Sequence, residues 1–337
     1  MALCALLLLL TGCGRTAPSA VSTGEAGKAA HAQAASEPTV SLVFVGDIML
    51  DDGPGKAVEA GVDPFVHCGP LLKNADLTVG NLECVIATVG ERVEKPYNFR
   101  AHPRCAPLLA EYFDGVSAAN NHSGDFGPDA LMEQMHLLSA VRLPCFGAGR
   151  DLRQAHLPWI VERRGIRFAI LGYNEFKPRS FEAGVDRPGL AWSLDSQVIE
   201  DIRDARTMYN ADIVIPYMHW GWENEGENER QRALARAMID AGADIVIGGH
   251  PHVTQGIEYY RGKLIVYSLG NFLFDGFKTP ASTTGWALEL KMNKHGLVEW
   301  RTHVAHMDQQ GIPHLDPAAS SPRGNAEQQE IVLKAGE

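Results

Sequence analysis

The stretch Ile245-Val246-Ile247-Gly248-Gly249-His250-Pro251-His252 joins a short β-branched run to two glycines and a His-x-His pair. The apolar run has the length and composition of a buried strand. The glycines permit a sharp turn at its end because they carry no Cβ. Imidazole is a common metal ligand, so two on one turn can serve one metal centre or two adjacent centres. Solvated loops also contain such pairs, so the rest of the chain must supply further ligands.

Five other apolar runs end in the same way, in acidic, amide or imidazole side chains. They are residues 41–45 followed by Gly46-Asp47, residues 76–79 followed by Gly80-Asn81-Leu82-Glu83, residues 115–119 followed by Asn120-Asn121-His122, residues 212–218 followed by His219, and residues 264–268 followed by Leu269-Gly270-Asn271. Functional groups of open α/β sheets collect outside the carboxyl ends of the strands. Turns alone also favour Asp and Asn. Six strands that all deliver groups able to bind a metal predict one shared site.

Helical and hairpin patterns separate or follow these strands. Apolar residues recur at helical spacing in residues 128–141, 193–209 and 228–241. Residues 286–292 and 297–304 alternate between apolar and polar side chains and flank Asn293-Lys294-His295-Gly296, which predicts a hairpin. The order of elements predicts an α/β fold with a mixed sheet or two stacked sheets.

Composition and charge narrow the class of protein. With 337 residues, 45% of them hydrophobic and 21% charged, the chain is long enough for a sizeable core in one large domain or two. The net charge of -11 argues against a nucleic acid partner, because such a protein needs a basic face to neutralise phosphates.

The beginning of the chain has the features of an export signal. Residues 2–10 are almost wholly apolar and too short to span a bilayer, as in the core of a signal peptide. Leu10-Thr11-Gly12-Cys13 then resembles the lipobox of bacterial lipoproteins, in which the cysteine carries the lipid. No Lys or Arg precedes the apolar run, which departs from that pattern. We expect an exported protein, anchored through Cys13 on the periplasmic or cell-surface face of a membrane.

The domain boundaries follow from these patterns. We predict a lipoprotein signal peptide and lipobox at residues 1–13, a flexible tether at 14–39, a single main domain at 40–310 and a polar tail at 311–337. Export would place Cys68, Cys84, Cys105 and Cys145 in an oxidising compartment, where disulfides persist. Four thiols allow three full pairings, and the sequence does not choose among them.

Seven ordered motifs between about residues 40 and 275 resemble the CapA family, the bacterial poly-γ-glutamate capsule-synthesis proteins. They are Gly46-Asp47-Ile48-Met49-Leu50, Asn81-Leu82-Glu83, Ala119-Asn120-Asn121-His122-Ser123-Gly124-Asp125-Phe126-Gly127, Gly147-Ala148-Gly149, His219-Trp220-Gly221-Trp222-Glu223, Gly248-Gly249-His250-Pro251-His252, and Tyr267-Ser268-Leu269-Gly270-Asn271-Phe272. The family is similar to the calcineurin-like metallophosphatases. The resemblance therefore implies a four-layer α/β/β/α sandwich.

The metallophosphatase pattern also implies a two-metal site. By this resemblance the ligands are Asp47, Glu83, Asn121, His219, His250 and His252. Met49 stands where the pattern has a histidine, and a thioether does not replace imidazole for a hard or borderline cation. We therefore expect one firm metal site and one weak site, with the identity of the divalent metal open among Mn, Fe, Zn and Mg. The firm site would use Glu83, Asn121, His219 and His250, and the weak site Asp47, Glu83 and His252.

Further residues surround these ligands. The pattern implies that His122 is the general acid that protonates the leaving oxygen, and Asp125 either holds His122 or caps the following helix. The residues expected near the substrate are Asn81, Asn120, Glu223 and Asn271. For Asn81 the alternative is to orient Glu83, and for Asn120 it is to cap a turn. Trp220 and Trp222 are either core residues or a substrate platform.

Two classes of function fit this sequence. One is a metal-dependent hydrolase that cleaves a phosphoester or an amide of a γ-glutamyl polymer. The other is a non-catalytic accessory protein that binds nascent poly-γ-glutamate or capsule synthetase subunits, with a vestigial metallophosphatase site. The Asn-His and His-x-His motifs favour the hydrolase, whereas Met49 favours the vestigial site. An anionic polymer meeting an acidic protein would need the metals or a local basic patch, for which Lys95, Arg100 and Arg104 are candidates.

Overall fold

The computed structural model describes residues 37–325. The described residues from Pro38 onward belong to one compact unit. The predicted signal peptide, the lipidation site Cys13 and nearly all of the predicted tether lie outside the described residues.

Seven α-helices and nineteen strands are found between residues 37 and 325. The helices are α1 (Asp52–Glu59), α2 (Gly69–Asn74), α3 (Cys105–Ala110), α4 (Gly127–Ala140), α5 (Leu152–Ala155), α6 (Asp195–Thr207) and α7 (Glu229–Ala241), with a 3₁₀ turn at Arg179–Phe181. The strands are β1 (Val40–Ile48), β2 (Leu77–Leu82), β3 (Val85–Ile86), β4 (Arg100–Ala101), β5 (Gly115–Ser117), β6 (Cys145–Phe146), β7 (Ala148–Gly149), β8 (Trp159–Arg163), β9 (Ile166–Asn174), β10 (Gly189–Leu190), β11 (Ile213–His219), β12 (Ile245–Gly249), β13 (Ile257–Tyr260), β14 (Lys263–Val266), β15 (Asn271–Leu273), β16 (Thr284–Asn293), β17 (Gly296–Met307), β18 (Pro313–Leu315) and β19 (Arg323–Asn325).

Two large mixed sheets form the centre of the molecule. The first has nine strands, in the order β18-β17-β16-β1-β2-β5-β6, with β15 also paired to β1 and β19 to β17. The second has six strands, in the order β13-β14-β12-β11-β9-β8. The predicted hairpin is confirmed as β16 and β17, which pair antiparallel from Thr284 opposite His306 to Asn293 opposite Gly296.

Strand alternation explains how the two sheets pack. Successive side chains of a strand point to opposite faces. In β1, Leu42 and Phe44 belong to the apolar cluster that also contains Ile213 and Ile215 of β11, so this cluster lies between the sheets. Their neighbours in β1, among them Val43, belong to a different cluster, which includes residues of helices α2, α3 and α4.

The second sheet has a helical layer of its own. Val214 and Val246 pack with Val198 of α6 and Leu234 of α7. The layers therefore run helix, sheet, sheet, helix, and the expected α/β/β/α sandwich is confirmed. Burying one large aliphatic side chain contributes about 1.5–3 kcal/mol, so these three apolar layers supply the main drive to fold.

Local sequence signals define the helix ends. The predicted helices correspond to α4, α6 and α7. The side chain of Asn228 accepts a hydrogen bond from the backbone of Gln231, whose side chain bonds back to the Asn228 backbone, so α7 begins with a capping box. Gly242 ends the same helix at φ 119°, a conformation that glycine adopts with little strain.

The predicted boundary of the polar tail, at residue 311, is too early in the chain. Strand β18 pairs with β17 through His314 opposite His306, and β19 pairs with it through Gly324 opposite Trp300. These short segments have too few apolar residues to reveal a strand, but backbone hydrogen bonds to a long neighbouring strand require no particular side chains. The segments Pro313–Leu315 and Arg323–Asn325 therefore extend the first sheet.

Two further properties bear on localisation and redox chemistry. Cys68, Cys84, Cys105 and Cys145 are free thiols in this structure. Among the helices at residues 37–325, none combines the length and apolar character needed to cross a bilayer.

Candidate metal centre

The candidate ligands meet at the carboxyl ends of strands from both sheets. In the first sheet, Asp47 at the end of β1 lies in register with Asn81 of β2 and with Asn271 of β15. In the second sheet, His219 at the end of β11 lies in register with Gly249 of β12. The register thus aligns the polar strand ends within each sheet, and a contact of 3.2 Å between Nδ2 of Asn81 and Nδ1 of His219 joins the ends of the two sheets.

The turn after β12 is tightly packed and strained. A Cβ atom on Gly249 would lie 2.7 Å from Oδ1 of Asp47, so only glycine fits there. The backbone N–H of His250 donates to Oδ2 of Asp47 at 3.1 Å. His250 has φ 95° and His252 has φ 57°, which non-glycine residues seldom adopt. Strain of this kind persists at functional sites where the surrounding structure enforces it.

Glu83 and His250 form the open part of the centre. Both side chains are completely buried. Within residues 37–325, neither carboxylate oxygen of Glu83 and neither ring nitrogen of His250 has a hydrogen-bond partner. Burial, reinforced by the charge of Asp47, raises the pKa of Glu83 well above its usual range. Burial lowers the pKa of His250 well below its usual range, which keeps the imidazole neutral, the form that binds metals.

A divalent cation would fit these orphaned groups. A buried charged or polar group without a partner is costly, and metal coordination is one way in which proteins compensate buried charges. Carboxylate, amide oxygen and imidazole together suit the divalent cations of first-row metals and magnesium. Two trios of ligand atoms have members within 4.8 Å of one another: Glu83 with His250 and His252, and Asp47 with Glu83 and His219.

Glu83 is common to both trios, as expected of a bridging carboxylate. Its Oε1 lies 3.4 Å from Nε2 of His219 and 4.0 Å from Nε2 of His252. One trio contains both His250 and His252, and the other contains both Asp47 and His219. The sequence prediction instead assigned the two members of each pair to different metals. The division of ligands between a firm and a weak site therefore stays a prediction.

Amide side chains hold the ligands in place. Oδ1 of Asn121 lies 2.6 Å from Nε2 of His219. Nδ2 of Asn81 lies 2.8 Å from Oδ1 of Asp47 and 3.2 Å from Nδ1 of His219. Oδ1 of Asn271 lies 2.8 Å from Nδ1 of His252. Asn81 thus orients Asp47 and His219 rather than Glu83.

Asn120 organises the turn that carries Asn121 and His122. Its Nδ2 donates to Oδ1 of Asn81 at 3.0 Å, and its Oδ1 accepts from the backbone N–H of His122 and of Ser123. This matches the turn-capping alternative. The polar atoms of Asn81, Asn120 and Asn271 are engaged within the chain, and their direct contact with a substrate stays a prediction.

His122 lies in a buried network with Asp125 and Lys95. Its Nδ1 is 2.7 Å from Oδ2 of Asp125 and 3.3 Å from Nζ of Lys95. Lys95 also forms an ion pair with Oδ1 of Asp125 at 2.5 Å and donates to the carbonyl of Asn121 at 2.6 Å. Helix α4 has no side-chain cap from its N-cap residue, Phe126. Of the two alternatives for Asp125, the structure therefore supports holding His122.

Burial lowers the pKa of His122 to about 4, although Asp125 acts in the opposite direction. The imidazole is therefore neutral near pH 7. With Nδ1 donating to Asp125, Nε2 is the nitrogen that can accept a proton.

Three other predicted residues have distinct surroundings. Glu223 is exposed, and its charge contributes to the raised pKa of Glu83, so it lies near the centre. Trp220 is a core residue whose Nε1 donates to the carbonyl of Tyr267 at 2.9 Å. Trp222 is 52% exposed. Met49 is buried, and its sulfur accepts from the backbone N–H of Asp51 at 3.1 Å.

Sequence reasoning missed Phe176, whose ring centroid lies 3.9 Å from that of His250. A signal was available, because residues 167–172 read as a buried strand and Phe176 closely follows the end of that strand, β9. The role of Lys95 was also missed. It was expected in an exposed basic patch, and a long cationic side chain gives no sign in the sequence that it folds inward to a carboxylate.

Comparison with known proteins agrees with these features. Residues 41–276 match the family model described as bacterial capsule synthesis protein PGA_cap. The chain is 34% identical to the PGA biosynthesis protein CapA of Bacillus subtilis over 272 residues, covering 78% of this chain and 71% of that protein. It is 32% identical to the capsule biosynthesis protein CapA of Bacillus anthracis over 246 residues, covering 70% of this chain and 60% of that protein.

A third relative is a probable polyglutamine synthesis accessory protein of Mycobacterium tuberculosis, 36% identical over 228 residues. That match covers 63% of this chain and 60% of the mycobacterial protein. The chain therefore spans about three fifths of two of these three relatives.

Solved structures support the fold. A phosphatase of Mycoplasma pneumoniae aligns with a TM-score of 0.53 at 11% identity, covering 83% of this chain and 96% of that one. The NAD nucleotidase of Haemophilus influenzae aligns with a TM-score of 0.50 at 12% identity, covering 83% and 54%. At this identity the likeness concerns the metallophosphatase-type fold alone. The family match and the relatives establish more, and the chain belongs to the PGA_cap family of bacterial capsule synthesis proteins, the family of CapA.

Proposed function

We propose that this protein is a divalent-metal-dependent hydrolase that acts in the synthesis or export of poly-γ-glutamate capsule. The observation that carries the proposal is the pairing of Glu83 and His250, two buried side chains whose polar atoms have no hydrogen-bond partner within residues 37–325. A buried carboxylate in that state is costly unless a cation joins it. When bound, a divalent metal would polarise the scissile bond and lower the pKa of a water molecule.

The residues of the centre would bind the metal, exchange a proton or position the ligands. Glu83, Asp47, Asn121, His219, His250 and His252 would hold the metal. His122, oriented by Asp125 at 2.7 Å, would exchange a proton with the substrate or water. Asn81 and Asn271 would keep Asp47 and His252 in place through the bonds described above. In this scheme Lys95 neutralises Asp125.

The proposed substrate is a γ-glutamyl amide of the capsule polymer, or a phosphoester. In the amide reaction the C–N bond breaks, the oxygen of water joins the carbonyl carbon as hydroxyl, and the proton of water goes to the leaving nitrogen. In the ester reaction the oxygen of water joins the phosphorus as hydroxyl, the ester P–O bond breaks, and the leaving oxygen takes the other proton of water. Both reactions need water alone as co-reactant.

The test combines metal analysis with a hydrolase panel. We expect purified wild-type protein to bind a divalent metal and to lose turnover on chelation. His250→Ala should lower metal affinity at least about tenfold, in line with the loss of groups that support metal sites. His314→Ala, a partly exposed histidine bonded to Asp308, is the control and should retain the metal. A wild-type protein that takes up no divalent metal would contradict the proposal.

A second candidate is the non-catalytic accessory role. Met49 favours it, because a buried thioether already engaged by a backbone N–H stands where the metallophosphatase pattern has a ligand. In this case the protein would bind the polymer or capsule synthetase subunits, and the metal would be structural. Bound metal without turnover of phosphoesters or γ-glutamyl polymer would select this role.

We also propose that the protein is exported and anchored through a lipid on Cys13. The apolar run at residues 2–10 and the lipobox-like Leu10-Thr11-Gly12-Cys13 support this localisation. Cys13→Ala should release the protein from the membrane fraction. A variant that still partitions with membranes as wild type does would refute the lipid anchor.

A further inference from the structure

A groove lined by aromatic and charged side chains adjoins the candidate metal centre. It encloses about 580 Å³, and its lining includes three aromatic side chains (Phe176, Trp192 and Trp222), three cations (Lys177, Arg179 and Arg230) and two carboxylates (Glu175 and Glu229). Phe176 contacts both the metal centre and the groove. Its ring centroid lies 3.9 Å from that of His250 and 6.0 Å from that of Trp222.

The backbone fixes this groove to the strand ends that carry the ligands. Phe176 follows β9, and the backbone N–H of the preceding residue, Glu175, donates to the carbonyl of His219 at 2.8 Å. Trp192 forms an isolated bridge with Asn174, the last residue of β9. A ligand in the groove would therefore lie next to the metal centre on a rigid support.

The aromatic side chains offer apolar surface. Trp222 is 52% exposed and meets Phe176 edge to face at an interplanar angle of 81°. An exposed tryptophan beside a functional site is unusual, because large aromatic side chains gain from burial. Exposed aromatics of this kind are frequent anchors in binding sites.

The cations offer partners for carboxylates. Arg179 pairs with Glu182 at 2.8 Å, but its side chain is 59% exposed, and an exposed pair of this kind contributes little and can exchange partners. Lys177 is exposed at the rim of the groove. Arg230 is held more firmly, by Glu175 at 2.9 Å and by Asp195 at 2.5 Å, and serves to position Glu175.

We infer that this groove is the subsite for an anionic polyamide chain, such as a γ-glutamyl polymer, next to the metal centre. Each γ-glutamyl unit has two methylene groups, an amide and a carboxylate. The methylenes would pack on Trp222 and Phe176, and the carboxylates would pair with Lys177 and Arg179. The inference rests on the proposed function for the choice of polymer. In a protein of net charge -11, the two exposed cations Lys177 and Arg179 are the local partners for the carboxylates of a polyanion, because Arg230 is already held by acidic side chains.

Binding of a fluorescently labelled poly-γ-glutamate oligomer to the full-length, metal-loaded protein tests the inference. Trp222→Ala should weaken binding about tenfold, as expected for an aromatic anchor. The double variant Lys177→Ala/Arg179→Ala should weaken it roughly five- to tenfold at low salt, with a smaller difference at high salt.

Matched controls come from exposed residues outside the groove. Met208→Ala removes an apolar side chain that is 69% exposed, and Arg150→Ala/Arg153→Ala removes two exposed cations. Both controls should bind the oligomer as wild type does. Metal content, measured on every variant, verifies that the centre is intact.

Two results would overturn the inference. One is a wild-type protein that does not bind the oligomer, and the other is a set of groove variants that bind it as well as their controls do. Metal uptake and phosphoester turnover by wild type report separately on the proposed function. Failure of the subsite can therefore be told from failure of the hydrolase.

Discussion

Two clusters of largely buried histidine and carboxylate side chains within residues 37–325 differ in one respect. In the first, Glu83 and His250 have polar atoms with no hydrogen-bond partner within the described chain. In the second, between α5, β9 and α6, Asp201 accepts from His156 at 2.7 Å, from Tyr173 at 2.9 Å and from Gln197 at 2.8 Å. We call the first the open cluster and the second the closed cluster.

The difference separates structural chemistry from functional chemistry. Proteins normally satisfy the hydrogen bonds of buried polar groups, as the closed cluster does. A closed cluster stabilises the fold and has no capacity left for a ligand. The open cluster has the same types of side chain and is more deeply buried, but its unsatisfied oxygens and nitrogens converge, and this is the arrangement that a cation would complete. Residue type alone therefore does not identify a site.

The largest expected effect compares two histidines that each contact a carboxylate, His122 in the network beside the open cluster and His156 in the closed cluster. His122→Ala should lower turnover by about 10²–10⁴-fold, because it removes a proton-exchanging group, while the metal is retained. His156→Ala, its match in the closed cluster, should lower the free energy of unfolding by about 1–3 kcal/mol and leave turnover per folded molecule unchanged. Steady-state kinetics and chemical denaturation of both variants measure this. Equal losses of turnover in the two variants would contradict the assignment of a functional role to His122 and a structural role to His156.

The next effect compares the carboxylates. Glu83→Gln should raise the free energy of unfolding of the metal-free protein by about 1 kcal/mol at alkaline pH, since it removes a buried charge that has no donors. Asp201→Asn should lower it by about 1–3 kcal/mol, because an amide N–H₂ would replace one of the two oxygens that accept from His156, Tyr173 and Gln197 and would then face a donor. With metal at a hundredfold excess over its Kd, wild type should gain about 2.7 kcal/mol and Glu83→Gln should not. We expect the change in the free energy of unfolding to be positive for metal-free Glu83→Gln and negative for metal-free Asp201→Asn. A clear decrease in both variants would contradict this prediction.

The remaining effect concerns pH. Because burial raises the pKa of Glu83 in the folded protein, the folded state holds its proton more tightly than the unfolded state does. The stabilising contribution is then complete below the unfolded pKa of about 4.3 and is lost as pH rises through the folded pKa. The difference in unfolding free energy between metal-free wild type and Glu83→Gln isolates this contribution from those of the histidines. It should fall with pH by at most about 1.4 kcal/mol per unit, and a difference that is flat above pH 4.3 would count against a raised pKa.

Much of the fold could be predicted from local patterns. The runs before Asp47, Glu83, His219 and His250 are recognisable as buried strands, and α7 has both its capping Asn228 and its terminal Gly242 in the sequence. The segments at residues 313–315 and 323–325 could not be predicted in this way. They are strands only because β17 offers them backbone partners.

The candidate site was predictable in its members and less so in its contacts. The strand-end pattern selected Asp47, Glu83, Asn121, His219 and the His-x-His pair, and register places them together. The pattern did not show that Asn271 holds His252, that Lys95 neutralises Asp125, or that Phe176 packs on His250. These contacts join residues up to 74 positions apart, from Phe176 to His250, and side-chain packing at such separations leaves no local periodicity in the sequence.

The sequence by itself determined which strands end in metal-capable groups, because the alternation of apolar and polar residues and the glycine turns are local properties of the chain. Only the tertiary structure decided which of the buried histidines and carboxylates remain open. Whether a buried polar atom has a partner depends on which side chains the two sheets bring into contact. His156 and His250 have the same chemistry in the sequence. Folding gives one of them a carboxylate partner and leaves the other, with Glu83, in a state that a metal would complete.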